Sequence, residues 1–237
     1  MKKPNFISGN IYHIYNRGIE KRDIFMEDLD YFRFIHDLFE FNDQAPAGKF
    51  SQFSQAQKQK QSEAGLPSVK PRKLLVEILA FALMPNHFHL LIRQKEKKGI
   101  VKFMQKLGTG YTMYFNQKYE RVGSLFQGRF KAVAVLKEKH LLYLPFYIHL
   151  NCLDLIEPDW RNGKIENFKK AIKFFESYRW SSYLDYIGKK NFSSVTQRQF
   201  LLKCLGGEKK YKESTVEWLK EMNKEKLKEI RNLTFGG

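Results

Sequence analysis

The stretch LLVEILAFALMPNHFHLLI, residues 74–92, contains the pattern that decides the fold of this chain. Residues 74–83 are almost all apolar, which is typical of a strand buried on both faces. The Pro-Asn dipeptide that starts at Pro85 favours a turn, and the apolar residues after it predict a second strand, paired with the first as a hairpin. Side chains alternate along a strand, so His87 and His89 are expected to point to the same face.

Hydrophobic periodicity and turn residues predict the remaining elements. Strands are expected at about 10–15 and 132–135, and helices at about 28–41, 100–119 and 139–155. Gly108-Thr109-Gly110 is expected to interrupt the second helix. The order strand, helix, two strands, helix, strand, helix predicts an α+β fold. This order of elements is typical of a ferredoxin-like (RRM-like) sandwich around a central antiparallel β-sheet.

The amino-acid composition changes along the chain and indicates a division into two domains. Residues 1–157 contain the elements of the predicted sandwich, and residues 158–237 read as a helical C-terminal extension. Residues 42–72 are rich in Gln, Ser, Lys and Pro and poor in branched apolar residues. This composition favours a flexible insertion within the first domain.

The charge balance favours a polyanionic partner. The chain has 237 residues and a formal net charge of +17, from 42 Lys and Arg against 25 Asp and Glu. Neutralising phosphates with such residues releases condensed counterions, which favours nucleic-acid binding. A basic protein associated with ribosomes or a membrane surface is the alternative. A hydrophobic content of 43% with 15% aromatic residues excludes wholesale disorder.

Cysteine usage and the N-terminus indicate the compartment. Cys152 and Cys204 are the only cysteines and form no CxxC pair, which is typical of a reducing cytosol. The chain begins with a short basic stretch that no apolar run follows, and it contains no apolar segment long enough to span a membrane. A cytoplasmic protein without membrane association is therefore expected.

The His87-Phe88-His89 motif is compatible with two interpretations. Two histidines on a strand are often polar residues on an exposed face. Neutral imidazole is nevertheless a common metal ligand, and two imidazoles on the same face can share one ion. The apolar run that follows makes this strand central, where buried histidines need partners, and this favours the metal-binding interpretation.

A second motif, Tyr147-Ile148-His149-Leu150-Asn151, lies in the last predicted sandwich helix. Residues four apart share a helix face, so Tyr147 is expected to lie next to Asn151. Both are expected beside, rather than within, an apolar stripe formed by Leu141, Leu144, Ile148, Cys152 and Leu155. Pro145 is expected either to kink this helix or to begin it.

These motifs together resemble a known family. The segments MPNHFHLLI, GSLFQGRF (123–130), YIHLN (147–151) and WSSY (180–183) occur in the order found in the single-tyrosine HUH transposases. They resemble the REP-associated tyrosine transposases most, and YHIYNRG at residues 12–18 also matches. The resemblance covers about residues 8–187. Relatives commonly have proline after the asparagine, whereas this chain has Cys152-Leu153-Asp154-Leu155, so the helix is expected to run further.

The resemblance implies a site and a reaction. His87 and His89 match the metal-binding histidines, Asn151 matches the polar residue that completes metal binding, and Tyr147 matches the nucleophile. The family attacks single-stranded DNA next to a hairpin, forms a 5′-phosphotyrosine link and leaves a free 3′-hydroxyl. Nitrogen and oxygen ligands with open positions suit Mg²⁺ or Mn²⁺, although the ligand types also allow Zn²⁺.

The predicted partner is hairpin-bearing single-stranded DNA in a bacterial, nucleoid-associated setting, and both a homodimer and a monomer stay open. Basic residues in loops and strand edges around the site are candidates for phosphate contacts, with ordinary surface charge as the alternative. They are Arg17, Lys21, Arg22, Arg121, Arg129 and Lys131.

Alternatives remain for the nucleophile and for the function. Tyr111, Tyr114 and Tyr119 lie in an aromatic helix that is expected to pack on the sheet. The other histidines have no comparable pairing and are expected to be structural or superficial; they are His13, His36, His140 and His149. A non-catalytic, domesticated single-stranded nucleic-acid-binding protein and an unrelated two-histidine metallohydrolase are the competing functions.

Overall fold

The computed structural model describes residues 4–45 and 72–221. Residues 46–71, most of the predicted insertion, lie outside the described residues, as do 1–3 and 222–237. Within the described ranges, no helix has both the length and the apolar character needed to cross a membrane.

The described elements follow the predicted order. They are β1 (Ile11–Arg17), α1 (Asp28–Glu40), β2 (Val76–Met84), β3 (His87–Gln94), α2 (Gly99–Lys118), β4 (Lys131–Ala134), α3 (Glu138–Leu150), α4 (Phe168–Ser177), α5 (Tyr183–Tyr186), α6 (Gln199–Cys204) and α7 (Gly207–Lys220). Short 3₁₀ helices lie at Ile19–Lys21, Asn151–Leu155 and Trp160–Asn162. For the strands and helices of the sandwich, nearly all predicted bounds lie within two residues of the observed ones.

The four strands form one sheet in the order β2-β3-β1-β4, and every neighbouring pair is antiparallel. This order places β1 and β3 in the centre and leaves β2 and β4 at the edges. The predicted α+β ferredoxin-like fold with an antiparallel sheet is confirmed.

The two faces of the sheet pack in separate cores. On one face, Phe88 and Leu90 of β3 pack in a buried cluster with side chains of α1 and α2, among them Phe34 and Tyr111. On the other face, Leu91 and the opposed residues of β2 pack against α3 and the C-terminal helices. Since β3 contributes to both cores, it has no solvent-facing side.

Helix α2 is continuous from Gly99 to Lys118, so the expected interruption at Gly108-Thr109-Gly110 is wrong. A Cβ at Gly110 would collide with the ring of Phe41, which follows α1. The absence of a side chain therefore permits close packing of the helix at this point, and this offsets the low helix propensity of glycine.

The WSSY segment covers the outer edge of β2. The amide of Leu83 donates to the Trp180 carbonyl at 2.8 Å, and Ser182 donates its amide to the Phe81 carbonyl at 3.0 Å. The Ser182 hydroxyl oxygen accepts from the Phe81 amide at 2.9 Å. Such pairing satisfies strand groups that would otherwise be a template for association with another chain.

The described ends of the predicted insertion are held together. Asn42 donates Nδ2 to the Val76 carbonyl and accepts from the Val76 amide, both at 3.0 Å. The Gln44 amide donates to the Lys73 carbonyl at 2.9 Å. The chain segments on either side of the undescribed residues, around Asn42 and Val76, therefore lie next to each other.

A buried carboxylate joins α1 to α2. Asp30 is fully buried and accepts hydrogen bonds from the Tyr114 and Tyr119 hydroxyls at 2.9 and 2.7 Å, and from Lys118 Nζ at 2.6 Å. Burial alone raises the pKa of Asp30, but the hydrogen bonds, from Lys118 first, outweigh it and lower the pKa below its ordinary value.

Replacing Asp30 with Asn should lower the free energy of unfolding near neutral pH by about 2 kcal/mol, because charge-assisted hydrogen bonds are lost. A depressed folded-state pKa stabilises the protein above about pH 4, and this contribution disappears as the pH falls through the folded-state value. The deficit of the variant should therefore shrink at pH 3. Urea unfolding at both pH values measures it, with the exposed Asp28→Asn as control, and an equal deficit at both would contradict this account.

Candidate active site

The His motif occupies the start of β3, on the face covered by α3. Phe88 points to the opposite face, where its ring lies 5.1 Å from that of Phe34. The rings of His87 and His89 lie 5.1 Å apart between centroids and are nearly perpendicular. His87 is 9% exposed and His89 fully buried. The predicted common face of the two histidines is present.

Helix α3 places Tyr147 against this face. The Tyr147 ring presents an edge-to-face contact to His89, with 6.1 Å between the ring centroids. Asn151, at the end of the helix, donates Nδ2 to the Tyr147 carbonyl at 2.7 Å. The structure therefore brings His87, His89, Tyr147 and Asn151 into one cluster, although they come from segments 60 residues apart.

Helix α3 ends earlier than expected. It stops at Leu150, and Asn151–Leu155 forms a 3₁₀ helix, so the expected α-helix to residue 155 is wrong. Pro145 lies inside the helix rather than at its start. The Asn151 amide satisfies a carbonyl of the last helical turn, which would otherwise lack an intrahelical partner.

Tyr147 and Asn151 are each 1% exposed, and Tyr147 belongs to the buried apolar cluster. The expectation that they lie beside the apolar stripe is wrong, because C-terminal helices cover the other side of α3. The Phe146 ring, for example, stacks on Tyr211 of α7 at 4.8 Å. Leu155, which was assigned to the stripe, is 43% exposed.

Arg161 is a site residue that sequence reasoning missed. Its Nη2 donates to Asn151 Oδ1 at 2.6 Å, and its guanidinium carbon lies 5.4 Å from the Tyr147 ring centroid. A salt bridge to Asp154 holds the guanidinium in place. Arg161 lies beyond the predicted end of the catalytic domain at residue 157 and in no recognised motif, so the sequence carried no signal for it.

The electrostatic environment keeps both histidines neutral. Burial, followed by the positive charges of Arg17 and Arg161, lowers the pKa of His87 to about 3. Burial and then the neighbouring imidazoles of His13 and His87 lower the pKa of His89 well below its ordinary value. Neutral imidazole is the form that binds metal ions.

The side chains of this cluster include atom types that bind divalent metal ions. Two neutral imidazoles and one amide oxygen, from His87, His89 and Asn151, leave positions that water or phosphate oxygens fill on Mg²⁺ or Mn²⁺. The amide oxygen is occupied by Arg161 in this structure. Among residues 4–45 and 72–221, no cluster of three or more His, Cys, Asp or Glu is arranged to hold a metal.

The YHIYNRG segment also contributes to this face. Tyr15 is buried, and its ring lies 5.9 Å from that of His89. Burial, and then the proximity of Tyr147, raise the pKa of Tyr15. His13 is fully buried, and its Nε2 lies 2.9 Å from His89 Nδ1. The expectation that His13 lacks a comparable pairing is therefore wrong.

The remaining histidines have other surroundings. His149 is fully buried and bonds the Tyr211 hydroxyl at 2.6 Å and the Ser182 hydroxyl at 2.7 Å, which ties α3 to the C-terminal extension. His36 and His140 are half-buried and lie outside the cluster of His87, His89, Tyr147 and Asn151. His149 is thus structural, as predicted.

The alternative tyrosines pack on the opposite face of the sheet, as expected. Tyr111 is fully buried and donates its hydroxyl to the Ile24 carbonyl at 2.5 Å. Tyr114 and Tyr119 donate to Asp30. None of these three side chains lies near His87.

The predicted DNA-contact residues separate into two groups. Arg17 is opposite His87 in the β1–β3 register, and the exposed Lys131 is opposite Tyr15 in the β1–β4 register. Lys21 and Arg22 are exposed just after β1. Two residues lie on the other side of the sheet: Arg121 donates to Asn116 of α2 at 3.0 Å, and Arg129 lines a cavity beside α2 with Phe34 and Phe88. Their contacts with DNA stay predictions.

A single asparagine connects the HUH strand to the NRG turn. Asn86 Oδ1 lies 2.6 Å from His87 Nδ1, while Asn86 Nδ2 donates to the Lys21 carbonyl at 3.1 Å. The Gly18 amide donates to the Asn86 carbonyl at 2.8 Å. The Asn86 side chain and backbone therefore orient the first histidine and the basic turn together.

The GSLFQGRF segment pairs with the end of β1. The Gln127 amide donates to the Arg17 carbonyl and the Ile19 amide to the Leu125 carbonyl, both at 2.9 Å. Asn16 donates Nδ2 to the Gly128 carbonyl at 3.1 Å. These contacts bring together two motifs that are more than 100 residues apart in sequence.

Sequence comparison shows similarity to one family over part of the chain. A model of the family described as Transposase IS200 like matches residues 55–151, a region that contains both the His motif and Tyr147 with Asn151. The similarity that the motifs indicated is therefore found over this region, which is less than half of the chain. The match starts within residues 42–72, the predicted insertion.

Among solved structures, one titled as a REP-associated tyrosine transposase bound to a REP hairpin shows 12% sequence identity with a TM-score of 0.47. The alignment covers 81% of this chain and 88% of that chain. No curated protein matches the chain in sequence.

Gly18→Ala should destabilise the protein by about 2 kcal/mol, a cost of the size expected when an atom is forced into close-packed surroundings. A Cβ at Gly18 would collide with the Arg22 carbonyl oxygen, so the turn that carries Arg17 would have to shift. Gly108→Ala is the matched control, because a Cβ there meets nothing within 4 Å and the helix should gain about 0.5–1 kcal/mol. Thermal unfolding of both variants tests this, and equal melting temperatures would contradict it.

Proposed function

We propose that this protein is a transposase that cleaves and rejoins single-stranded DNA through Tyr147. The observation that carries the proposal is the edge contact between the Tyr147 ring and His89, the second histidine of the HUH motif, with 6.1 Å between the ring centroids. A tyrosine placed at random on an amphipathic helix has no reason to meet a histidine of that motif. The IS200-like match over residues 55–151 supports the same function.

His87, His89 and Asn151 would hold a divalent ion, either Mg²⁺ or Mn²⁺. When bound, such an ion polarises a phosphate oxygen and neutralises charge in the transition state. The histidines are prepared for this role because they are neutral and because strand β3 fixes their directions. Asn151 becomes available once Arg161 releases its amide oxygen.

Tyr147 acts as the nucleophile in an in-line displacement. Its phenolic oxygen, after losing its proton, forms a bond to phosphorus while the bond from phosphorus to the 3′ oxygen breaks, and that oxygen takes up a proton. The products are a 5′-phosphotyrosine and a free 3′-hydroxyl. Since one phosphodiester replaces another, the reverse attack by a 3′-hydroxyl rejoins DNA without nucleotide hydrolysis.

Arg161 stabilises negative charge at this step. Its guanidinium lies over the Tyr147 ring and close enough to depress the pKa of both HUH histidines. A phosphate competes well for a guanidinium, because the bidentate charge-assisted pair is stronger than a bond to a neutral amide. DNA binding would therefore draw Arg161 from Asn151 onto the phosphate and expose the amide oxygen.

The substrate is unpaired DNA next to a hairpin. Tyr147 lies within a buried cluster, and a phosphodiester reaches it only if the backbone is free of a complementary strand. Arg17 and Lys131 flank the site on β1 and β4, and Lys21 and Arg22 extend the basic surface. The net charge of +17 agrees with a polyanionic partner. Hairpin recognition rests on the resemblance of the motifs.

Incubation with labelled, hairpin-bearing single-stranded DNA and Mn²⁺ should yield a covalent protein–DNA adduct that resists denaturation. Tyr147→Phe should abolish the adduct while hairpin affinity stays within a few-fold, since the phenyl ring retains the packing. Excess chelator should also abolish it. An adduct that persists in Tyr147→Phe and disappears in Tyr111→Phe would overturn the assignment. DNA binding without any adduct would favour the non-catalytic, domesticated nucleic-acid-binding alternative.

Arg161→Met should reduce the rate of adduct formation about 100-fold, comparable to the loss of one preorganised transition-state donor. Arg161→Lys should recover only part of the rate, because an ammonium cannot form the planar bidentate contact. Single-turnover kinetics measures both. Arg93→Met is the matched control, since Arg93 pairs with Glu77 at 3.0 Å at the far end of β3. Equal rates for Arg161→Met and the control would rule out this role.

A further inference from the structure

His13 lies on the middle of β1, on the same sheet face as the HUH pair. In the register of β1 with β3 it is opposite Leu91, and its diagonal neighbour is His89. His13 and His89 are both fully buried. Their rings are stacked, with centroids 5.0 Å apart and an interplanar angle of 17°.

The two imidazoles are within hydrogen-bond distance through specific atoms. His13 Nε2 lies 2.9 Å from His89 Nδ1. Two neutral imidazoles can share this contact in only two ways, since one nitrogen must carry the proton and the other must accept it. If His13 donates, the proton of His89 is on its Nε2. If His89 donates from Nδ1, its Nε2 has a free lone pair.

Only the second arrangement allows His89 to bind a metal ion through Nε2. Metal-binding histidines usually donate their other ring N–H to a second group, which fixes both the tautomer and the ring direction. Among the described contacts, His13 Nε2 is the atom within hydrogen-bond distance of His89 Nδ1. For His87, Asn86 occupies the corresponding position, with its Oδ1 at 2.6 Å from His87 Nδ1.

We propose that His13 is a positioning residue that accepts the Nδ1 proton of His89 and thereby aims the Nε2 lone pair of His89 at the metal ion. The inference rests on the proposed function, because it requires His89 to be a metal ligand. It assigns His13 and Asn86 the same role toward the two histidines of the motif. His13 itself does not contact the DNA or the ion.

The surroundings of His13 hold its ring in this orientation. The Tyr15 ring lies 5.2 Å from it and the Tyr147 ring 6.5 Å, the latter in an edge-to-face contact. A purely space-filling role would be met at lower desolvation cost by an apolar side chain. A buried polar pair at this position therefore indicates that the hydrogen bond itself is needed.

Metal binding to the DNA-free protein, in which His87 and His89 would hold the ion while Arg161 occupies Asn151, tests the proposal separately from catalysis. Mn²⁺ affinity, measured by isothermal titration calorimetry and by the electron paramagnetic resonance of free Mn²⁺, should fall about 10–100-fold in His13→Phe, the size of effect typical of such outer partners. His13→Gln keeps an acceptor and should recover most of this loss. His149→Phe is the matched control: it removes another fully buried, hydrogen-bonded histidine, and should lower the melting temperature but leave Mn²⁺ affinity within a few-fold.

The tautomer of His89 in the parent protein provides a second readout that needs no variant. Nitrogen-15 correlation spectra of histidine-labelled protein should show the proton of His89 on Nδ1. A proton on Nε2 would overturn the proposal, as would equal Mn²⁺ affinities for the parent and a folded His13→Phe. If the parent protein binds no Mn²⁺ and forms no DNA adduct, the proposed function itself fails. Normal Mn²⁺ binding in His13→Phe together with a normal adduct in the parent would refute only the role of His13.

Discussion

A central strand without a solvent-facing side is the constraint on which the rest of this molecule depends. Strand β3 is enclosed by two neighbouring strands and by a core on each face, so alternate side chains enter different environments. Phe88 packs among aromatic rings, whereas His87 and His89 face α3. Polar groups on a buried face are costly unless they are hydrogen-bonded. Asn86 and His13 meet this requirement, and the same contacts set the directions in which the two histidines point.

The face that carries the histidines is completed by the C-terminal part of the chain. The WSSY segment pairs with the edge of β2, and His149 on α3 is bonded both to Ser182 of that segment and to Tyr211 on α7. Helix α3 is thus held between the sheet and the C-terminal helices. This explains why Tyr147 is buried, and it makes the position of Tyr147 depend on residues far beyond the sandwich.

Local patterns were sufficient for the fold and for the residues in the two motifs. The alternation around Phe88 and the four-residue spacing of Tyr147 and Asn151 depend on backbone geometry alone, so they could be read directly from the sequence. The structure differs from the prediction where a contact between residues distant in sequence determines the local conformation. The Phe41 ring makes Gly110 compatible with a continuous α2, and the Asn151 side chain closes α3 at its last turn. No local pattern encodes either contact.

Contacts between residues distant in sequence also bring Arg161 and His13 to the candidate site. Arg161 reaches the site only because Asp154 and the turn after it direct its guanidinium back over Tyr147. His13 acquires its importance from pairing between β1 and β3, which brings together residues 76 positions apart. Such a neighbour can be identified only when the register of the two strands is known, because diagonal positions on adjacent strands lie close in space.

The segment after Asn151, where the sequence resemblance led us to expect proline, forms a turn of its own. Asp154 accepts the indole N–H of Trp160 at 2.7 Å and pairs with Arg161, so the 3₁₀ turn and the residues after it form one unit. This unit places the Arg161 guanidinium next to the Tyr147 ring. The same guanidinium donates a hydrogen bond to the amide oxygen of Asn151. A neutral amide holds a guanidinium less strongly than a phosphate does. Under the proposed function, a DNA phosphate would take the place of the amide oxygen at Arg161 while Asp154 keeps the guanidinium near Tyr147, so that substrate binding would complete the site.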